Sequence, residues 1–373
     1  MERVNITIIG AGAIGLSVGA ELAGFHKDVI IVERNPSFGQ ETSSRNSEVI
    51  HTGIYYPRDS LKLKTCFEGR ELLYGFCLSN NVPYRKTGKL VVAVDRSETM
   101  DLEKLFLRGK GNGVDDMRML SRDEIKSMEP GVKAEAAIYS PSTGILDTHV
   151  FMKRLAASFE KSGGQIAYNT EVRAITKKKD GYEIRVNCSP GEDFVFMSHV
   201  VVNCAGLNSD KIAGLAGLDR PEYKLKYCKG DYFRLAPSKS ALIKHLIYPV
   251  PKDKRGGLGV HATPDLAGSV RLGPDDEYVE NLDYDVDASK AAVFHESIRA
   301  FLPFIDRADI TPDTSGIRPK LQGRNEEFRD FVICGEEGRG LAGFIDLIGI
   351  ESPGLTASLS ISKIVAGIVK EVG

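Results

Sequence analysis

At 373 residues, 42% hydrophobic and 27% charged, the chain has an ordinary globular composition and exceeds the roughly 250–300 residues at which a single core stops growing, so two domains are expected. A formal net charge of -2 argues against nucleic acid or a strongly anionic surface as partner. The six cysteines (Cys66, Cys77, Cys188, Cys204, Cys228 and Cys334) form no CxxC pair and the seven histidines no HExxH; no metal is expected, and free thiols in a reducing cytosol predict a cytoplasmic protein.

Val4, Ile6, Ile8 and Ile9 predict a first strand, residues 14–22 a helix, and Val29-Ile30-Ile31-Val32 a second strand ending at Glu33. Between the first two lies Gly10-Ala11-Gly12-Ala13-Ile14-Gly15. Strand, glycine turn, helix, strand and acid at this spacing form a dinucleotide-binding unit. Gly10 makes the turn, Gly12 lets backbone approach a pyrophosphate, and Gly15 lets the helix pack on the strand. The diphosphate rests on the positive helix start, and Glu33 accepts from a ribose diol. Residues 6–25 imitate a membrane span, but Glu21 interrupts them and their glycines keep the fingerprint spacing. No transmembrane segment is expected; peripheral membrane contact stays open.

The polar run Glu41-Thr42-Ser43-Ser44-Arg45-Asn46-Ser47 is a hydroxyl-rich loop suited to phosphate or ribityl oxygens. His51 follows in a strand-like stretch, where a lone histidine is as a rule structural. Residues 89–94 predict a strand. Residues 165–168, 170–176 and 182–186 predict further strands, with a hairpin end at Lys177-Lys178-Lys179. The apolar run 199–203 reads as a buried strand ending at Cys204-Ala205-Gly206, close to a ligand, and residues 209–215 as a helix. Residues 232–235, 245–250, 258–262 and 269–272 show antiparallel patterning with interspersed Pro and Gly, a mixed sheet on the substrate side. Near the C-terminus, Ser352 is placed as N-cap and Pro353 as first residue of a helix with a Leu355, Leu359, Ile364, Ile368 stripe.

The nucleotide signals fall in three separated blocks. This predicts an α/β fold in which residues 1–84, 150–222 and 315–373 build a Rossmann-like domain. Residues 85–149 and 223–314 then form an inserted mixed-sheet substrate domain.

Five motifs carry a resemblance over nearly the whole chain: residues 46–56 (NSEVIHTGIYY), 229–235 (KGDYFRL), 245–251 (HLIYPVP), 258–261 (LGVH) and 352–358 (SPGLTAS). The chain resembles the D-amino-acid-oxidase superfamily of FAD oxidoreductases, and within it the L-2-hydroxyglutarate dehydrogenase/oxidase family. It departs in a shorter stretch after Gly273-Pro274 and in Gly316-Ile317-Arg318-Pro319-Lys320, where the family has Gly-Val-Arg-Ala-Gln. The resemblance implies a glutathione-reductase-type FAD domain. Its expected cofactor contacts are Gly10, Gly12, Ala13, Ile14, Gly15, Glu33, Arg34, residues 42–47, His51, Val172, Cys204, Ala205, Gly206, Arg318, and Glu351, Ser352, Pro353, Gly354, Leu355 and Thr356. His51 would lie beside the flavin ring, His261 and Tyr248 in the pocket, and Arg318 on a substrate carboxylate. The implied reaction is oxidation of a small 2-hydroxy acid, first L-2-hydroxyglutarate, with hydride passing to flavin N5 and the hydroxyl proton to His51 or His261. Arg318 grips the C1 carboxylate as a two-pronged pair, and Lys320 or Lys229 is a candidate for a distal one. Oxygen, a quinone or a redox protein would accept the electrons. The alternatives are oxidation of an amino acid, an amine or glycerol 3-phosphate on the same fold, an NAD-dependent dehydrogenase, and a non-catalytic flavin-binding protein.

Overall fold

The computed structural model describes residues 1–189, 191–251 and 259–372. Its first strand, Arg3–Ile9, pairs in parallel with Val29–Val32 on one side and with Glu192–Asn203 on the other. The Val and Ile side chains alternate across the sheet as the two-residue strand period requires. Ile6 and Ile8 join a core with Leu16, Phe159 and Ile361 on the helical face, while Ile9 meets Val201, Tyr182 and Phe344 on the other. The full order in this eight-stranded sheet is Glu171–Lys178, Gly181–Ser189, Glu192–Asn203, Arg3–Ile9, Val29–Val32, Gln165–Ala167. Leu341–Ile348 joins it by pairing in parallel with the end of Glu192–Asn203, and Val332–Glu336 pairs with Leu341–Ile348.

The strand expected over 199–203 begins earlier, at Glu192. Its first half is a solvent-facing ribbon paired with Gly181–Ser189, and only the second half enters the core. Ser198 and His199 part its apolar run Phe194-Val195-Phe196-Met197 from the apolar run expected at 199–203.

Two expectations for the terminal helix are corrected. It starts at Gly354. The Pro353 carbonyl accepts from Ala357 N at 3.0 Å, so Pro353 occupies the cap position and Ser352 lies before it. The buried face runs through Ala357, Ile361, Val365 and Val369, with Leu355, Leu359 and Ile368 on its flank. This helix packs against both Ala13–Leu22 and Leu61–Ser79, so two neighbours, and no single stripe, decide which side is covered.

A nine-stranded mixed sheet forms the second layer. It runs Glu277–Val279, Lys226–Leu235, Val270–Leu272, Ala262–Pro264, Leu246–Pro249, Lys89–Ala93, Ala136–Ser140, Arg118–Ser121, with Ile310–Lys320 also on Lys226–Leu235. Its described joins are antiparallel except Leu246–Pro249 with Lys89–Ala93. Leu90, Val92 and Ile247 pack toward Phe294 and Ile298, while Val91, Ala93 and Tyr248 face the helix Arg96–Gly111. Lys89 shares the latter face by the same period. Ile310–Lys320 runs unbroken across the 314/315 boundary and pairs within this sheet. Val49–Ile50, Gly144–Leu146 and Tyr84–Arg85 form a small third sheet.

The strand expected at 258–262 begins at Ala262, and Leu258 lies outside the described residues. Gly259 has φ +72, so the chain turns there and His261 sits in the turn before the strand. All six cysteines are free thiols.

The glycine turn is packed to contact. A Cβ on Gly15 would lie 1.9 Å from the Gly10 carbonyl oxygen, and one on Gly10 (φ +104) would lie 2.6 Å from the Cys204 carbonyl oxygen. Gly15→Ala is therefore expected to cost about 1–3 kcal/mol of stability or more, read as a lower thermal midpoint. An unchanged midpoint would mean that the turn relaxes freely.

Candidate active site

One cavity of ≈ 1350 Å³ opens between the two large sheets. Every expected site residue lines it except Gly15, Ser44, Thr356 and the candidate Lys229. Gly15 packs under the turn. Ser44 is exposed, and its hydroxyl donates to the Glu41 carbonyl. Thr356 is fully buried, accepts from His51 N at 3.0 Å and donates to Val49 O at 3.2 Å. It therefore fixes the chain at His51 and does not face the cavity.

At one end, the helix Ala13–Leu22 begins without a side-chain bond from its N-cap, Gly12. Ala13 N donates to Ser43 Oγ at 2.9 Å, so a hydroxyl oxygen already stands where the helix start attracts an acceptor. Glu33 accepts from Ala11 N, Asn35 N and Asn35 Nδ2 at 2.8, 2.8 and 2.9 Å. Three of its roughly four acceptor positions clamp the turn, which leaves one for a ribose. Thr42 Oγ1 donates to Ile317 O at 3.0 Å. Asn46 Nδ2 donates to Thr42 O and Ser43 O. Much of the expected phosphate loop thus bonds to protein.

The other end gathers His51, Tyr55, Tyr232, Tyr248, His261 and Arg318. His261 Nδ1 lies 2.9 Å from the Gly259 carbonyl. A carbonyl only accepts, so Nδ1 carries the hydrogen and Nε2 keeps its lone pair in the neutral ring. The ring stacks on Tyr248 with centroids 3.7 Å apart. Burial, helped by the Lys89 and Arg318 charges and opposed by Gly259, pushes His261 down to about 3. Burial, then Lys89 and His261, hold His51 well below its ordinary value. His51 Nε2 lies 3.5 Å from Ser352 Oγ.

Arg318 corrects the expected two-pronged grip. Its Nε donates to Cys228 O (3.3 Å), and its Nη2 to Lys229 O (3.3 Å) and Asp275 O (2.8 Å). Nη1 is the edge left for a ligand among the described residues. Burial works against its charge, but Cys228, Glu351, Tyr232 and Asp276 outweigh it and the pKa rises. Glu351 is depressed although burial opposes it, because Lys62, Lys320 and Arg318 surround it; its carboxylate meets Lys62 Nζ at 2.7 Å. Lys229 is spent on Asp285 O and Asp283, whereas Lys320 lines the cavity.

Sequence reading missed Tyr55 and Tyr232 as wall residues, although both stood in quoted motifs. It also missed the cavity-lining Asp101, Lys104, Leu105 and Arg108 of Arg96–Gly111. Nothing local marks these last four; the packing of their helix places them.

The residues fit a dinucleotide. The cavity exceeds the ≈ 300–1,000 Å³ usual for a small-ligand pocket, and the side-chain-free turn and uncapped helix start lie on its wall. A family model described as FAD dependent oxidoreductase (DAO) matches residues 5–368. The chain is 40% identical over 403 residues to "L-2-hydroxyglutarate dehydrogenase, mitochondrial" of Arabidopsis thaliana, covering 98% of this chain and 83% of that protein. It is 32% identical over 415 residues to the Homo sapiens protein of the same name, covering 98% and 89%. Among solved structures, L-alpha-glycerophosphate oxidase from Mycoplasma pneumoniae with FAD bound superposes with TM-score 0.86 at 26% identity, covering 99% of this chain and 95% of that one. Glycine oxidase from Geobacillus kaustophilus gives 0.81 at 20% identity, covering 100% and 95%. The relatives' mitochondrial names overturn the cytoplasmic expectation.

Proposed function

The chain belongs to the DAO family of FAD-dependent oxidoreductases, and from that premise we propose that it oxidises L-2-hydroxyglutarate to 2-oxoglutarate. The carrying observation is that two imidazoles held neutral and one buried guanidinium line a single cavity. The names of the relatives support the choice of acid. When bound, FAD would supply a two-electron acceptor for the C2 hydride, with oxygen, a quinone or a redox protein as the final oxidant.

In this reading Arg318 Nη1 holds the C1 carboxylate, and an imidazole of the His51–His261 pair takes the hydroxyl proton. Tyr248 keeps His261 flat against its ring, and Thr356 fixes the backbone of His51. The turn at Gly10, Gly12, Ala13 and Ile14 would cradle the diphosphate, and Glu33 would accept from the ribose. Thr42, Ser43, residues 45–47, Val172, Cys204, Ala205 and Gly206 would flank it, and residues 351–355 would hold the ring end. The layer built from residues 1–84, 150–222 and 315–373 holds the cofactor, with Ile310–Lys320 lent to the substrate layer formed by 85–149 and 223–314.

Anaerobic addition of L-2-hydroxyglutarate to the yellow holoprotein is expected to bleach its visible absorbance, while glycerol 3-phosphate and glycine leave it unchanged. Bleaching by glycerol 3-phosphate alone would replace the substrate and keep the family.

A further inference from the structure

Lys89 has no task in the reaction above, yet it is 1% exposed. It opens the strand Lys89–Ala93 and shares a sheet face with Tyr248 of the neighbouring strand. Its Nζ lies 4.2 Å from the Tyr248 ring centroid and 5.3 Å from that of Tyr55. His261 stacks on Tyr248 at 3.7 Å. Ammonium and imidazole cannot both sit that close over one face of the ring, so they take opposite faces. Among the described residues the Lys89 side chain makes neither an ion pair nor a hydrogen bond. An ammonium removed from water without a counter-ion is costly, and aromatic faces recover only part of the loss. Burial draws it down to about 7, opposed only by the Cys66 thiol.

A second observation lies beside it. The Tyr55 hydroxyl is buried without a hydrogen-bond partner, and Tyr55 lines the cavity. An unused donor with an uncompensated cation behind it is a complement to an anion. Three other lysines are already engaged: Lys229 is bound to Asp283 and Asp285, Lys62 to Glu351, and Lys320 also faces Glu351. Arg318 acts on His261 together with Lys89, whereas the charges acting on His51 are Lys89 and His261.

We infer that Tyr55 and Lys89 form a second carboxylate subsite in this cavity, which selects 2-hydroxy dicarboxylates over monocarboxylates. The Tyr55 hydroxyl donates to the distal carboxylate, and Lys89 supplies the countercharge from behind the rings. The inference rests on the 2-hydroxy-acid reading of the site.

The test compares kcat/KM for L-2-hydroxyglutarate with that for L-2-hydroxyvalerate, which has the same chain length and ends in a methyl. It uses holoenzyme of the wild type, Lys89→Met, Lys89→Arg and Tyr55→Phe. Lys89→Met is expected to lower the dicarboxylate-to-monocarboxylate ratio about tenfold or more, and Tyr55→Phe by about 2–10-fold. Lys89→Arg, which keeps the charge, should restore most of the ratio. Equilibrium dialysis of 2-oxoglutarate against 2-oxovalerate reads the same preference without turnover. A wild type that oxidises neither acid yet binds 2-oxoglutarate preferentially, with the preference lost in Lys89→Met, would sink the reaction and keep the subsite. Equal losses for both ligands in Lys89→Met and Tyr55→Phe would overturn the subsite, as would a wild type without preference.

Discussion

Replacing His51 and His261 singly by glutamine is expected to lower kcat by about 10²–10⁴-fold in the variant that removes the base, with the other change expressed mainly in KM. Both rings are held as the free base by burial and by the Lys89 charge. A base works only when unprotonated, and a depressed pKa extends that condition to lower pH. With His261 at about 3 and His51 also depressed, wild-type kcat/KM should show no acid limb centred near the ordinary histidine value of about 6.5. The check is a pH–rate profile of all three proteins. A limb near that value would overturn the depressed state of the two rings, and a kcat within about threefold of wild type in both variants would take the base elsewhere.

Arg318→Lys is expected to raise KM for the hydroxy acid by about 10–150-fold, the equivalent of one charged hydrogen bond at about 1.5–3 kcal/mol. The guanidinium satisfies three backbone carbonyls through Nε and Nη2 and still offers Nη1. One ammonium cannot do both. It either leaves the Cys228, Lys229 and Asp275 carbonyls without a donor or abandons the ligand. Steady-state kinetics decide the matter, and an unchanged KM would remove Arg318 from carboxylate binding.

The nucleotide half was legible because its physics is local. Gly10, Gly12 and Gly15 answer to contacts within a few residues, and the Val29–Val32 run declares a strand buried on both faces. The acceptor role of Glu33 was visible, but its grip on Ala11 N and Asn35 needed the turn in three dimensions. Lys89 was invisible for a physical reason. A lysine opening a strand looks like a solvent end until Leu246–Pro249, distant in sequence, is laid against it. His261 was singled out and lines the cavity, but its tautomer depends on Gly259 folding back, and a run of apolar letters implied a strand there. The terminal helix was misjudged in its buried side because the periodicity of one helix cannot report that two others enclose it.

The parallel pairing of Arg3–Ile9 with Glu192–Asn203, and of that strand with Leu341–Ile348, has a consequence for biogenesis. The opening segment can pair early with Val29–Val32, but its other neighbour arrives only when about half of the polypeptide has left the ribosome, and the inner end of Glu192–Asn203 waits for nearly all of it. Closing such remote loops is entropically expensive and slow, so sticky Val and Ile edges stay bare throughout synthesis. The nascent molecule should therefore depend on chaperones, and truncations before Leu341 should accumulate as aggregates, not as a foldable half.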